Sequence, residues 1–139
     1  MRLLVLLAVC VTASTACSCL PYQSLKEVFC SSDFVSHVKV LSKKDPNVYS
    51  HGFEDVIYTV RHIHVYRKPK KYKKLSKNIK TAPNSAACGI DLEIGKEYLL
   101  GGSVDDKGEL QSYLCGLVRR WKDVSAEDKA ALKTYICYA

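Results

Sequence analysis

Asp55-Val56-Ile57-Tyr58-Thr59-Val60-Arg61-His62-Ile63-His64-Val65-Tyr66 is the stretch of this 139-residue sequence whose pattern decides the fold. Ile57, Ile63 and Val65 fall on one side of an extended chain and Val56, Tyr58 and Val60 on the other. A strand that is apolar on both sides over this length must bend and serve two faces of a barrel. Upstream, Phe34 to Leu41 is rich in β-branched residues and reads as a second strand, broken by Lys43-Lys44-Asp45-Pro46-Asn47. Downstream, Ile79-Lys80-Thr81 is a weak strand, and Tyr98 to Gly102 with Leu110 to Leu114 flank Asp105-Asp106-Lys107-Gly108 as a hairpin. Ser24 and Glu27 form a capping box that opens a short helix from Leu25 to about Phe29, ended at Cys30. Ser125 opens a second helix with Leu132, Tyr135 and Ile136 on one side. The expected fold is mainly β (α+β), a five-stranded OB-fold-like barrel with two flanking helices.

The first sixteen residues read as a secretory signal peptide. Arg2 supplies the positive start, Leu3 to Val11 the apolar run, and Ser14-Thr15-Ala16 the small residues of a cleavage site. Cleavage after Ala16 is expected to leave one domain, residues 17–139, beginning Cys17-Ser18-Cys19. Its α-amine, with a reference pKa of about 7.7–8.0, would carry an available lone pair near neutral pH beside its own carbonyl, which makes a potential metal chelator. The competing reading of a cysteine after small residues is a lipid-attachment site. No segment reaches the ~18 apolar residues a membrane span needs, so a secreted, extracellular or matrix-associated monomer is expected.

Seven cysteines become six once Cys10 leaves with the leader: Cys17, Cys19, Cys30, Cys88, Cys115 and Cys137. An even set in a secreted chain indicates three disulfides, with each early cysteine reaching a late one as the economical arrangement. Zinc binding by these residues is the competitor, but Cys17-x-Cys19 has the wrong spacing for a zinc knuckle. The formal net charge of +7 is concentrated in Arg67, Lys68, Lys70, Lys71, Lys73, Lys74, Lys77 and Lys80. Such a block attracts polyanions, and outside the cell that means heparan-sulphate-like glycans before nucleic acid; a solvated loop is the plainer reading.

Catalytic motifs are missing. There is no His-Glu-x-x-His or Gly-x-Ser-x-Gly, and Gly89 to Lys96 lacks the glycine spacing of a phosphate loop and has Glu97 where Ser or Thr is needed. His62 and His64 would share one face of a strand, yet no third metal ligand lies near in sequence. Asp91 and Glu93, between Gly89 and Gly95, read as turn and edge residues rather than an acid–base pair. The chain is not expected to be an enzyme or to carry a cofactor of its own.

Several fragments, in order, resemble the tissue inhibitors of metalloproteinases: Cys17-Ser18-Cys19-Leu20-Pro21, Phe29-Cys30-Ser31-Ser32-Asp33, Thr81-Ala82-Pro83-Asn84-Ser85-Ala86-Ala87-Cys88-Gly89, Glu97 to Gly102, and Cys115 with Trp121. They cover essentially all of residues 17–139. The resemblance implies the N-terminal, netrin-like domain of that family with disulfides Cys17–Cys88, Cys19–Cys115 and Cys30–Cys137. It further implies that the amine and carbonyl of Cys17 chelate the catalytic zinc of a metzincin-class metalloproteinase. Ser18 would enter the pocket beyond the zinc, Cys19, Leu20 and Pro21 would lie along the primed side of the cleft, and Ser85, Ala86 and Ala87 along the other side. The sequence departs from the pattern in ending two residues after Cys137, without the second domain of vertebrate members, in a Cys17-to-Cys30 spacing one residue longer, and in the basic block. A netrin-like module that binds glycans or a receptor without inhibiting a protease is the alternative.

Overall fold

The computed structural model describes residues 17–49 and 52–138; the expected leader, residues 1–16, lies outside the described residues. Among the described residues six strands, β1 (Phe34–Lys44), β2 (Val56–Arg67), β3 (Asn78–Thr81), β4 (Glu97–Val104), β5 (Leu110–Gln111) and β6 (Val118–Arg120), are joined with two α-helices, α1 (Leu25–Ser31) and α2 (Ala126–Ala131). Strands β1, β2, β3, β5 and β4 form a closed ring, because β1 pairs with both β2 and β4. The ring includes one parallel pair, β3 with β5, and β6 pairs with Tyr98 to Leu100 of β4, on the edge that β5 takes at Ser103 and Val104. This is the expected five-stranded barrel, and β6 is an addition that three residues of sequence could not announce.

Closure follows from the long strands. The β1–β2 register shifts at Val35/Ser36, His37/Val38 and Val40/Ser42, and each irregularity bends and twists the pair. The first half of β2, Val56 to Thr59, therefore pairs with β3, while β1 is the one strand paired with its second half among the described residues. Both β1 and β2 extend beyond the expected limits, β1 through Lys44 into the breaker sequence and β2 to Arg67.

Alternation along β1 and β4 feeds two cores. Phe34, Val38, Val40, Tyr98 and Leu100 point into the barrel with Val56, Tyr58, Val60 and Ile79. Val35 and Leu99 point outward, where Leu25, Val28 and Phe29 of α1 pack with Leu117, Val124 and Leu132. Helix α1 begins as its capping box requires: Ser24 Oγ accepts from the Glu27 N–H at 3.1 Å, while the Glu27 carboxylate accepts from the N–H of Gln23, one residue ahead of the cap. It runs two residues past Phe29, so Cys30 lies within it rather than ending it. Helix α2 is shorter than its apolar spacing suggested. It stops at Ala131, Leu132 is buried, and Ile136 is 65% exposed because the chain leaves the helical path to reach the Cys30–Cys137 disulfide.

One buried titratable group gives the fold a pH dependence. The His37 ring stacks on Trp121 at 3.6 Å between centroids, Lys129 Nζ lies 4.5 Å from the centroid of the same indole, and His37 Nε2 donates to Glu97 Oε1 at 2.7 Å. Burial holds this imidazole below its usual 6.5; Glu97 pulls the other way without overcoming it, and Lys129 and His64 add to the depression. The unfolded chain thus binds this proton more readily, so the stability due to a neutral His37 is complete above pH ~6.5 and declines as pH falls through that value. Urea midpoints measured from pH 7.5 to 5.5 are expected to drop more for the native protein than for His37→Phe, which keeps a ring on Trp121; parallel pH profiles would refute this assignment.

Candidate functional site

Residues 17–23 form no helix or strand, so their position depends on covalent ties. Cys17 is bonded to Cys88 and Cys19 to Cys115, with Cα–Cα separations of 5.1 and 5.2 Å. The two bridges touch, the Cys17 and Cys115 sulfurs lying 3.5 Å apart. Two cross-links within three residues fix an extended backbone that has no ladder to hold it. Ser18, Cys19, Leu20 and Pro21 are all exposed, Leu20 to 91%, and the segment forms a ridge.

The second half of the ridge is the turn that Cys88 closes. Ser85 to Ala87 make one 3-10 turn capped by Asn84, whose Oδ1 accepts from the Ala87 N–H at 2.9 Å. Cys88 then takes a left-handed conformation, φ +66°, the one non-glycine among the described residues with positive φ. Gly89 donates to the Asn84 carbonyl at 2.8 Å, and Leu114 donates to the Cys88 carbonyl at 2.8 Å, joining the two disulfide-bearing loops. Ser85, Ala86 and Ala87 are exposed beside Cys17 as a result. A Cβ on Gly89 would stand 2.1 Å from the Ala82 carbonyl oxygen, a backbone atom that cannot step aside. Gly89→Ala is expected to cost roughly 1–3 kcal/mol of stability through overpacking and to displace the 85–88 turn, read as a lower denaturation midpoint.

Two residues of this surface escaped the sequence reading. Tyr113 and Leu114, both partly exposed, are brought to the ridge by the Cys19–Cys115 bridge, and Tyr113 interacts with Tyr22, whose phenol is pushed up first by burial and then by Tyr113. Their one sequence signal is adjacency to Cys115. Neither 17–23 nor 82–90 contains a charged side chain, so the ridge is a rigid, uncharged and partly apolar edge.

Other candidates resolve into structural roles. Cys17, Cys88 and Cys115 place their sulfurs within 4.8 Å of one another, but all three are in disulfides and offer no thiolate to a metal. His62 uses both ring nitrogens, Nε2 donating to the Ser76 carbonyl and Nδ1 accepting from Ser36 Oγ, each at 2.8 Å; His64 packs edge-on against Tyr66. Asp91 pairs with Lys43 and Glu93 with Arg120 at the surface. The basic block divides. Lys73, Lys74 and Lys77 line one groove, Arg67 and Lys70 line a second hollow with Asp33, and Lys68 lines both; Lys71 lies over the Tyr72 ring.

A closed five-stranded barrel braced by three disulfides, with a cross-linked and exposed N-terminal segment, defines the class of domain to which this chain belongs. The family model of tissue inhibitor of metalloproteinase matches residues 15–138, and the chain belongs to that family. It is 34% identical to a Caenorhabditis elegans protein named "Putative metalloproteinase inhibitor tag-225", over 96% of each chain. It is 32% identical to human metalloproteinase inhibitor 2 and 33% identical to the dog protein of that name, over 93% of this chain and 60% of each relative. The chain thus spans nearly all of the nematode relative and about 60% of the mammalian ones. Among the described residues no helix is long and apolar enough to cross a membrane.

Proposed function

We propose that this chain is a secreted inhibitor of zinc metalloendopeptidases of the metzincin class, matured by cleavage after Ala16, in which the α-amine and carbonyl of Cys17 chelate the zinc of the target. The observation that carries this reading is the double tether of Cys17 and Cys19, which cross-links both ends of the Cys17-Ser18-Cys19 segment to the body of the domain. Ser18 enters the pocket beyond the metal, Cys19 to Pro21 follow the primed side of the cleft, and Ser85 to Ala87 cover the other side. Rigidity is the source of affinity: little conformational entropy is lost on docking, and the ridge carries no mobile peptide bond for the protease to cut. The zinc is the target's, and the inhibitor contributes backbone ligands only.

Residues 17–139, oxidatively refolded, should titrate a matrix metalloproteinase catalytic domain to a stoichiometric end point. Failure across several metzincin catalytic domains, with all three disulfides confirmed by mass, would remove the inhibitor reading and leave the binding-module alternative. Attachment to sulphated glycans rests on the charge of the 67–80 block, whose cations line two hollows that share Lys68.

A further inference from the structure

We propose that the groove between the outer half of β2 and the loop following it binds a single-chain amphiphile with an anionic head, of the fatty-carboxylate or alkyl-sulfate kind, taken up from solution. The groove has a volume of about 510 Å³, within the ~300–1,000 Å³ range of small-molecule sites. Its apolar floor is Leu41, Val60, Val65 and Leu75. Its rim carries five cations, Arg61, Lys68, Lys73, Lys74 and Lys77, and among the described residues no carboxylate lines it.

The groove follows from the topology. Beyond Thr59, β2 has no paired strand on its β3 side among the described residues, and the 68–77 loop folds back over this edge instead. It is pinned by the Val60 N–H donating to Lys77 O and by His62 Nε2 donating to Ser76 O, each at 2.8 Å. At its far side the Tyr72 hydroxyl lies 3.0 Å from the Asp106 carbonyl. The strand thus contributes Val60 and Val65 to the floor while the loop contributes Leu75 and all four lysines.

The two halves of the groove call for different chemistry. A sulphated glycan would satisfy the rim and leave the leucines and valines without a partner; a neutral lipid would do the reverse. An acyl or alkyl chain on the floor with its carboxylate or sulfate among the lysines meets both requirements, through apolar burial and close cationic partners. Leu41, 49% exposed at the mouth, is where a chain would enter.

Calorimetry on the intact secreted protein, with decanoate, dodecanoate and tetradecanoate below their micelle concentrations, tests this. Each added methylene should tighten binding about fourfold until the groove is full, and dodecanol should bind at least about tenfold more weakly than dodecanoate. Lys73→Glu with Lys74→Glu should reduce affinity for dodecanoate about tenfold or more, and Leu41→Asp, at an exposed position, should reduce it similarly with the denaturation midpoint unchanged. Affinity that ignores chain length would overturn the proposal. So would tight binding of a heparin oligosaccharide, abolished by the lysine pair but indifferent to Leu41→Asp, which would assign the groove to glycans. Binding confined to vesicles of anionic phospholipid would overturn it too, assigning this face to a membrane surface.

Discussion

One alanine joined to the amine of Cys17 is expected to weaken inhibition of a matrix metalloproteinase catalytic domain by about three orders of magnitude or more, equivalent to ~4 kcal/mol of lost affinity. The extension converts an amine with an available lone pair into an amide nitrogen whose lone pair is delocalised into the carbonyl, and such a nitrogen is a poor zinc ligand. It also places a residue where the metal must sit, and the two adjoining bridges prevent the backbone from moving aside. The barrel does not sense the change, since residues 17–23 lie outside its ladders. Denaturation midpoints of the native and extended proteins should therefore coincide. Equal inhibition by both forms would show that Cys17 does not chelate the target's zinc.

Loss of the Cys30–Cys137 bridge should have the reverse profile, a large cost in stability with inhibition retained below the unfolding transition. This disulfide closes the longest loop of the three, at a sequence separation of 107, and its removal should cost about 2–5 kcal/mol. That is a large share of the ~5–15 kcal/mol by which a domain is stable. It also anchors the C-terminal segment, whose Tyr135 packs edge-on against Phe29 of α1 at 5.1 Å between centroids. Cys30→Ala with Cys137→Ala should lower the guanidinium midpoint markedly while the ridge, held by the other two bridges, still titrates the protease at low temperature. Equal midpoints would mean that α1 and the C-terminal tail are held by packing alone.

Much of the barrel was legible because its strands carry strong local patterns. The two-sided apolar run at Asp55–Tyr66 announced a bending strand, and β2 is that strand. Ser24 with Glu27 placed the start of α1, since a cap is a local hydrogen-bonding device. The ends were less legible. The Lys43-Lys44 pair read as a breaker, yet both residues extend β1 because Tyr58 and Ile57 of β2 stand opposite them. Ile136 sits at helical spacing from Leu132, but a disulfide overrides spacing.

The sequence by itself determined the alternation that gives β1 and β4 two cores, the caps of both helices, and the six cysteines that brace residues 17–138. These are properties of neighbours along the chain, fixed by the periods of strand and helix and by side-chain type. Only the tertiary structure decided that Tyr113 stands beside Tyr22 and Leu114 against Cys88, that Gly89 has no room for a methyl group beneath Ala82, and that four lysines of one charged run surround an apolar floor. Those facts depend on barrel closure and cross-links between residues 70 to 110 positions apart, and no local pattern encodes which distant segments will meet.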